Sequence, residues 1–303
     1  MEKHFNIFLD NITLSSAKNE DAQKKYTGVC EKLYSHYYSG QYNEDKKYLF
    51  GSYKTKTNIC PLSEMQDVDV LFKIPQETFD KFDRYDNNGQ GALLQEVRTI
   101  LKEKYTTTKE IKAWGKIVLV KFDKNHHNIE LLPALELEDG TFKIPNSENG
   151  GSWDPFDPKK DIDAFFESNT KTDGLTRNLT KMIKSWKRST SITSYKSCQI
   201  IKDVISFTNL YYNKGKGDTD YAKIVLDFFD YKKGNCDNEC KSYFETAYSR
   251  ARKAIEYSDD EKPKEASIEW RKIFGDLFPL INENPETKSE SITIMNPARP
   301  WSN

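Results

Sequence analysis

Hydrophobic and polar positions divide the chain into two stretches of different period. Over residues 20–39, Tyr26, Val29, Cys30, Leu33 and Tyr37 recur at three-to-four-residue spacing, which predicts an amphipathic helix. A short apolar run from Lys47 to Phe50 reads as a strand and leads into Gly51-Ser52. After the loop around Pro61, Val68-Asp69-Val70-Leu71-Phe72 reads as a strand bounded by Pro75. A helix from Gly91 to Tyr105 follows, then strands over Lys116 to Phe122 and Asn128 to Leu137, and a short one over Thr141 to Ile144. The passage from Asn146 to Pro158, rich in Gly, Ser and Pro, breaks this pattern. Beyond it the period is helical, over about 160–170, 174–189, 195–212, 219–231, 239–257 and 264–275. The end from Asn282 to Asn303, with Pro285, Pro297 and Pro300, reads as extended. No internal repeat is apparent. The expected fold class is α/β in the mixed (α+β) sense, with a strand-containing first half and a helical second half.

A chain of 303 residues holds one large domain or two intimate ones. Its 46 basic and 47 acidic residues nearly cancel, so any binding field must come from local clustering. No apolar run is long enough for a membrane span, and the start, Met1-Glu2-Lys3-His4, has no signal-peptide core; a cytoplasmic protein is expected. The five cysteines at irregular spacing read as reduced thiols. Cys236 and Cys240 have the spacing of half a zinc site, but no second half accompanies them, and a polar loop between helices is the preferred reading.

Two clusters carry chemistry. Asp67 and Asp69 lie one residue apart in a strand, so their carboxylates share a face. Gly51-Ser52, just upstream, offers backbone N–H groups and a hydroxyl to a phosphate. Glu130 is an acid inside the apolar run Ile129-Glu130-Leu131-Leu132, a costly placement unless it is paired or bound to a cation, and it is the candidate third carboxylate. Glu136 and Glu138 read as edge or solvent residues. Three such acids can hold two divalent cations, Mg²⁺ or alternatively Mn²⁺, against a triphosphate. The second cluster is basic: no Asp or Glu occurs from Gly174 through Lys202, and Arg177, Lys181, Lys184 and Arg188 fall on one helical face. Leu175, Leu179, Met182, Ile183 and Trp186 form the other face. Such a stripe can neutralise the phosphate charge that metal ions leave. The combination points to metal-dependent nucleotidyl transfer.

These residues resemble the cGAS/DncV-like nucleotidyltransferases, the bacterial CD-NTases of CBASS antiphage defence. The resemblance covers nearly the whole chain. Gly51-Ser52-Tyr53 with Asp67-Val68-Asp69-Val70 resembles the family signature, and Ile129-Glu130-Leu131-Leu132-Pro133-Ala134 its third-acid strand, with Glu where the family commonly has Asp. Leu179 to Trp186 is similar to the family's Lys-x-Trp helix, which implies a triphosphate contact for Lys184, with Lys181 as a lesser candidate. A downstream serine that shares this role is sought at Ser197, ahead of Ser194. Trp270 to Gly275, followed by Phe278-Pro279, is similar to the family's closing helix. Tyr53 and Tyr195 are candidates for base stacking, with packing the commoner role of a tyrosine.

The resemblance implies a polymerase-β-like core packed on a C-terminal helical domain, bilobed around a cleft. The expected boundaries are 1–158 for the core, whose N-terminal helix packs on the second lobe, 159–281 for the helical domain and 282–303 for a tail. It also implies synthesis of a cyclic di- or oligonucleotide from NTPs (ATP, with GTP, UTP or CTP as further candidates), with CBASS regulatory proteins as candidate partners and no obligatory nucleic acid. The alternatives are a template-independent linear nucleotidyltransferase, of oligoadenylate or tRNA type, and a degenerate nucleotide-binding protein.

Overall fold

The computed structural model describes residues 1–62, 67–123, 126–212 and 220–281. Helix α1 (Glu2–Ile12) is followed by α2 (Ser16–Tyr37), whose first turn is capped by the Ser15 hydroxyl accepting from Lys18 N–H. Strand β1 (Lys47–Leu49) leads into the single turn α3 (Gly51–Lys54) and then β2 (Asp67–Lys73). Helices α4 (Gln76–Asp83) and α5 (Gly89–Lys104) precede β3 (Glu110–Trp114), β4 (Ile117–Lys121) and β5 (Asn128–Glu136). A hairpin of β6 (Phe142–Asn146) and β7 (Ser152–Phe156) ends the strand-containing half.

The sheet runs β1-β2-β5-β4-β3, with β6 on the far end of β5 and β7 beyond it. β2 and β5 are parallel neighbours, and every other pairing is antiparallel. Alternation along β2 and β5 sends Val68, Val70, Ile129 and Leu131, all fully buried, to one face, where they pack with α2, α4 and α5. Leu71 and Leu132 point the other way, into a smaller cluster with Ala134, Phe142 and Ile144.

Six helices follow: α6 (Pro158–Lys171), α7 (Leu175–Thr190), α8 (Ser197–Tyr211), α9 (Tyr221–Lys233), α10 (Asn238–Asp259) and α11 (Pro263–Phe274). The apolar face of α7 joins α8 to α11 in a second core. Helix α1 buries Phe5, Phe8, Leu9 and Ile12 in that same core, with ring centroids 4.9 Å apart for Phe5 and Trp270 and 4.7 Å for Phe8 and Phe274. The two N-terminal helices therefore part company: α1 joins the helical core and α2 the sheet. Among the described residues no helix is long and apolar enough to cross a membrane.

One expectation is corrected here. The passage from Asn146 to Pro158 is not a plain break, because β7 lies within it and pairs residue for residue with β6. The turn uses Asn149, Gly150 and Gly151 at φ of 54°, 91° and 96°, so its residues are those of a tight hairpin. Pro155 is tolerated because β7 pairs on one side only. The tail from 282 to 303, expected to be extended, lies outside the described residues.

Candidate nucleotidyltransferase site

The sheet register assembles the acids. Asp69 stands opposite Glu130 and Asp67 opposite Asn128 in the parallel β2–β5 pair, so all three carboxyl groups share the face turned away from α2 and α5. The antiparallel partner β1 brings the Gly-Ser turn to the same place: Leu49 is opposite Val70, and Phe50 N–H donates to Asp69 O at 3.2 Å. Gly51 has φ of 64°, and a Cβ there would lie 2.0 Å from Asp69 Oδ2. Both the backbone conformation and the packed carboxyl group therefore demand glycine at this position.

Burial and mutual repulsion shape the electrostatics. Desolvation, then the Asp67 charge, raise the Asp69 carboxyl to about 7, with Lys184 opposing. Desolvation and the neighbouring Asp67 and Asp69 charges push Glu130 up to about 7 as well. Burial also raises Asp67, against hydrogen bonds from Asn128 and Glu130. A hydrogen bond between Glu130 and Asp67 requires one shared proton, as expected of carboxyl groups too close to ionise together. A hard divalent cation fits this donor set, because it would replace the shared proton and neutralise the crowded charge. Among the described residues no three acid, His or Cys side chains close a metal site by themselves. Mg²⁺ characteristically takes one or two carboxylates and fills its remaining positions with phosphate oxygens and water.

Asn128 escaped the sequence reading. Its Oδ1 accepts from Phe122 N–H at 3.2 Å, and its side chain also bonds to Asp67. The available signal was a buried amide in an apolar strand, two residues before the acid.

The cationic face of α7 lies over residues 55–61, the segment leaving α3. Arg177 Nε donates to Thr55 O at 3.1 Å and Arg188 Nη1 to Pro61 O at 2.8 Å. Lys181 Nζ donates to Thr13 Oγ1, and Lys184 Nζ to Thr57 Oγ1, each at 3.0 Å. Lys184 faces Asp69, and burial pushes its ammonium down to about 7 against that attraction. The titratable groups acting on Lys181 are Arg177, Asp10 and Cys60, none of them one of the three site acids. The same segment is held from the α1 side, where Ile59 bridges to Thr13 and Cys60 N–H donates to Ile12 O at 2.8 Å.

Ser197 is the exposed first residue of α8, and its neighbour Cys198 is within electrostatic reach of Lys184. Ser194 instead meets Cys240 Sγ at 3.3 Å. Both candidate stacking tyrosines are engaged elsewhere. Tyr53 donates to Asn19 O at 2.9 Å with its ring against Tyr26 and His127, and buried Tyr195 donates to Asp203 Oδ2 at 2.7 Å. Glu136 pairs with Lys73 at 2.6 Å, and Glu138 is exposed. Residues 234–237 connect α9 and α10, and Cys240 is buried on the latter.

Residues 1–169 match the model of the Second Messenger Oligonucleotide or Dinucleotide Synthetase domain. A Bacillus cereus (strain VD146) protein described as a probable cyclic nucleotide synthase is 26% identical over 277 residues, covering 76% of this chain and 81% of that protein. The fold is shared with CdnC of E. coli MS115-1, solved with ATP, at a TM-score of 0.65 and 16% identity over 91% of this chain and 98% of that one. It is shared too with the Vibrio cholerae cyclic AMP-GMP synthase DncV, solved with a linear intermediate, at 0.68 and 11% over 89% and 93%. With more than half of its length matched by the family model, the chain belongs to the Second Messenger Oligonucleotide or Dinucleotide Synthetase family, cyclic oligonucleotide synthases with a cGAS/DncV-like nucleotidyltransferase fold.

Proposed function

We propose that this protein joins nucleoside triphosphates, ATP among them, into a cyclic di- or oligonucleotide that serves as an antiphage second messenger in the cytoplasm. The observation that carries this reading is the register of Asp69 against Glu130, with the Gly51 backbone packed on the Asp69 carboxyl group. Asp67 and Asp69 would hold two Mg²⁺ ions, with Glu130 completing the position nearer the attacking hydroxyl. When bound, the ions supply Lewis-acid activation of that hydroxyl and charge neutralisation on the phosphates.

The chain's own residues do the rest. The N–H groups of Gly51 and Ser52, with the Ser52 hydroxyl, receive the β- and γ-phosphates. Lys184 supplies a buried positive charge from the helical side, with Ser197 at the start of α8 as the candidate serine. A ribose hydroxyl of a second nucleotide then attacks the donor α-phosphate in line, and pyrophosphate leaves. A second such step within the linear intermediate closes the ring. Asn128 keeps the Asp67 carboxylate oriented throughout. The E. coli CdnC relative has been solved with a HORMA protein, which supports a regulatory partner of that kind for this chain.

The test is incubation with each labelled NTP and Mg²⁺ or Mn²⁺, followed by phosphatase. The expected result is a phosphatase-resistant product from the native protein. Asp69→Asn should lower its formation by at least about a thousandfold with an undiminished unfolding midpoint. Undiminished product from that variant would overturn the assignment of Asp69, and products fully sensitive to phosphatase would establish the linear nucleotidyltransferase alternative.

A further inference from the structure

We propose that Thr57 is a positioning residue for Lys184, its buried hydroxyl holding the ammonium group in place over the Gly51-Ser52 turn. This inference rests on the reading of Lys184 as a triphosphate ligand. Thr57 is fully buried and Thr55 is 4% exposed, so water is not available to replace either hydroxyl. Lys184 Nζ lies 3.0 Å from Thr57 Oγ1, which lies 3.0 Å from Thr55 Oγ1. Thr55 Oγ1 is in turn 3.2 Å from both Gly51 O and Ser52 O.

The direction of this chain follows from its ends. An ammonium group only donates and a carbonyl oxygen only accepts. Thr57 therefore accepts from Lys184, and the two bonded threonine hydroxyls direct their protons toward each other and the turn, where Gly51 O and Ser52 O accept from Thr55 and Ser52 O also lies 3.5 Å from Thr57 Oγ1. Thr57 is anchored separately by its own N–H, which donates to Ser52 O at 2.9 Å. The position of the Lys184 ammonium is thus set by the segment that builds the phosphate turn, and not by α7 alone. A lysine side chain otherwise samples many rotamers, and such an anchor removes that freedom before the nucleotide arrives. Lys181 cannot take over, because its ammonium is committed to Thr13.

The mechanism predicts an effect on binding more than on turnover, since a triphosphate contact is present before and during the reaction. Thr57→Val, which keeps the shape and deletes the hydroxyl, should raise the KM for NTP about tenfold with kcat within about twofold. Thr57→Ser should restore KM to within about twofold of the native value. In a Lys184→Ala background, Thr57→Val should change KM by less than about twofold. The dissociation constant of a fluorescent, non-hydrolysable ATP analogue gives the same comparison without turnover. Unfolding midpoints accompany every variant, and Thr57→Ala replaces the valine variant, with the same expectations, if the latter does not fold. If Thr57→Val leaves KM unchanged while Lys184→Ala raises it, or if the two effects multiply in full, this inference fails alone. If Lys184→Ala itself leaves KM unchanged, the parent reading of Lys184 fails and this inference with it.

Discussion

Strands β2 and β5 hold three carboxyl groups against one another, whereas one face of helix α7 spreads its four cations over four separate oxygen partners. The acidic wall is frustrated: desolvation raises all three acids, neighbouring carboxylate charge raises Asp69 and Glu130 further, and Asp67 and Glu130 share a hydrogen bond. The basic wall is largely satisfied. Arg177, Lys181 and Arg188 tie α7 to residues 55–61 and to the end of α1, and Lys184 looks toward Asp69. The difference teaches that unsatisfied charge marks where a ligand is needed, while satisfied charge of the same kind can simply join two parts of a molecule.

The sharpest way to break this comparison is Gly51→Ala. A Cβ placed 2.0 Å from Asp69 Oδ2, at a positive φ, must displace the carboxyl group or the turn. Product formation should fall at least about a hundredfold, as for a misplaced reacting group. Activity near the native level would show that the turn and Asp69 do not need this close approach.

The next test uses pH on the protein without metal or nucleotide. Asp69 and Glu130 are raised to about 7, so below that pH the folded state binds more protons than the unfolded chain. Unfolding free energy should therefore fall as pH rises from about 4 to 7, with a slope of at most about 1.4 kcal/mol per pH unit for each group. Lys184 is lowered to about 7, so above that pH the unfolded chain binds the extra proton and stability should recover toward pH 10. Asp69→Asn should flatten the acidic limb. Denaturant titrations across this range measure both limbs, and a flat profile would mean that the acidic wall is solvated.

The smallest effects sharpen the division along α7. Lys184→Ala should raise the KM for NTP about tenfold, the loss of one charged hydrogen bond. Lys181→Met should move KM less than about threefold and lower stability by about 1 kcal/mol, because it loses only the contact to Thr13. Equal effects of the two on KM would return Lys181 to the nucleotide.

Legibility in the sequence followed the range of the interactions involved. Asp67, Asp69 and Glu130 could be read because strand alternation is local, and an acid in an apolar strand needs a reason wherever its partner lies. The helices from α6 to α11 were legible through their apolar period, and β7 was not, since Asn149-Gly150-Gly151 and Pro155 read alike in a hairpin and in an open linker. Ser197 and Ser194 differ by three residues, and only packing turns the latter toward Cys240. The four cations on the basic face of α7 look equivalent on a helical wheel, because a wheel contains one helix and none of its neighbours. The sequence by itself determined which side chains share a face and where charge is concentrated, since backbone geometry dictates both within a single element. Tertiary structure decided that Asp69 meets Glu130, that Asn128 braces Asp67, and that Lys184 turns to Asp69. Those outcomes depend on strand register and on the docking of residues 55–61, which join groups far apart in the chain.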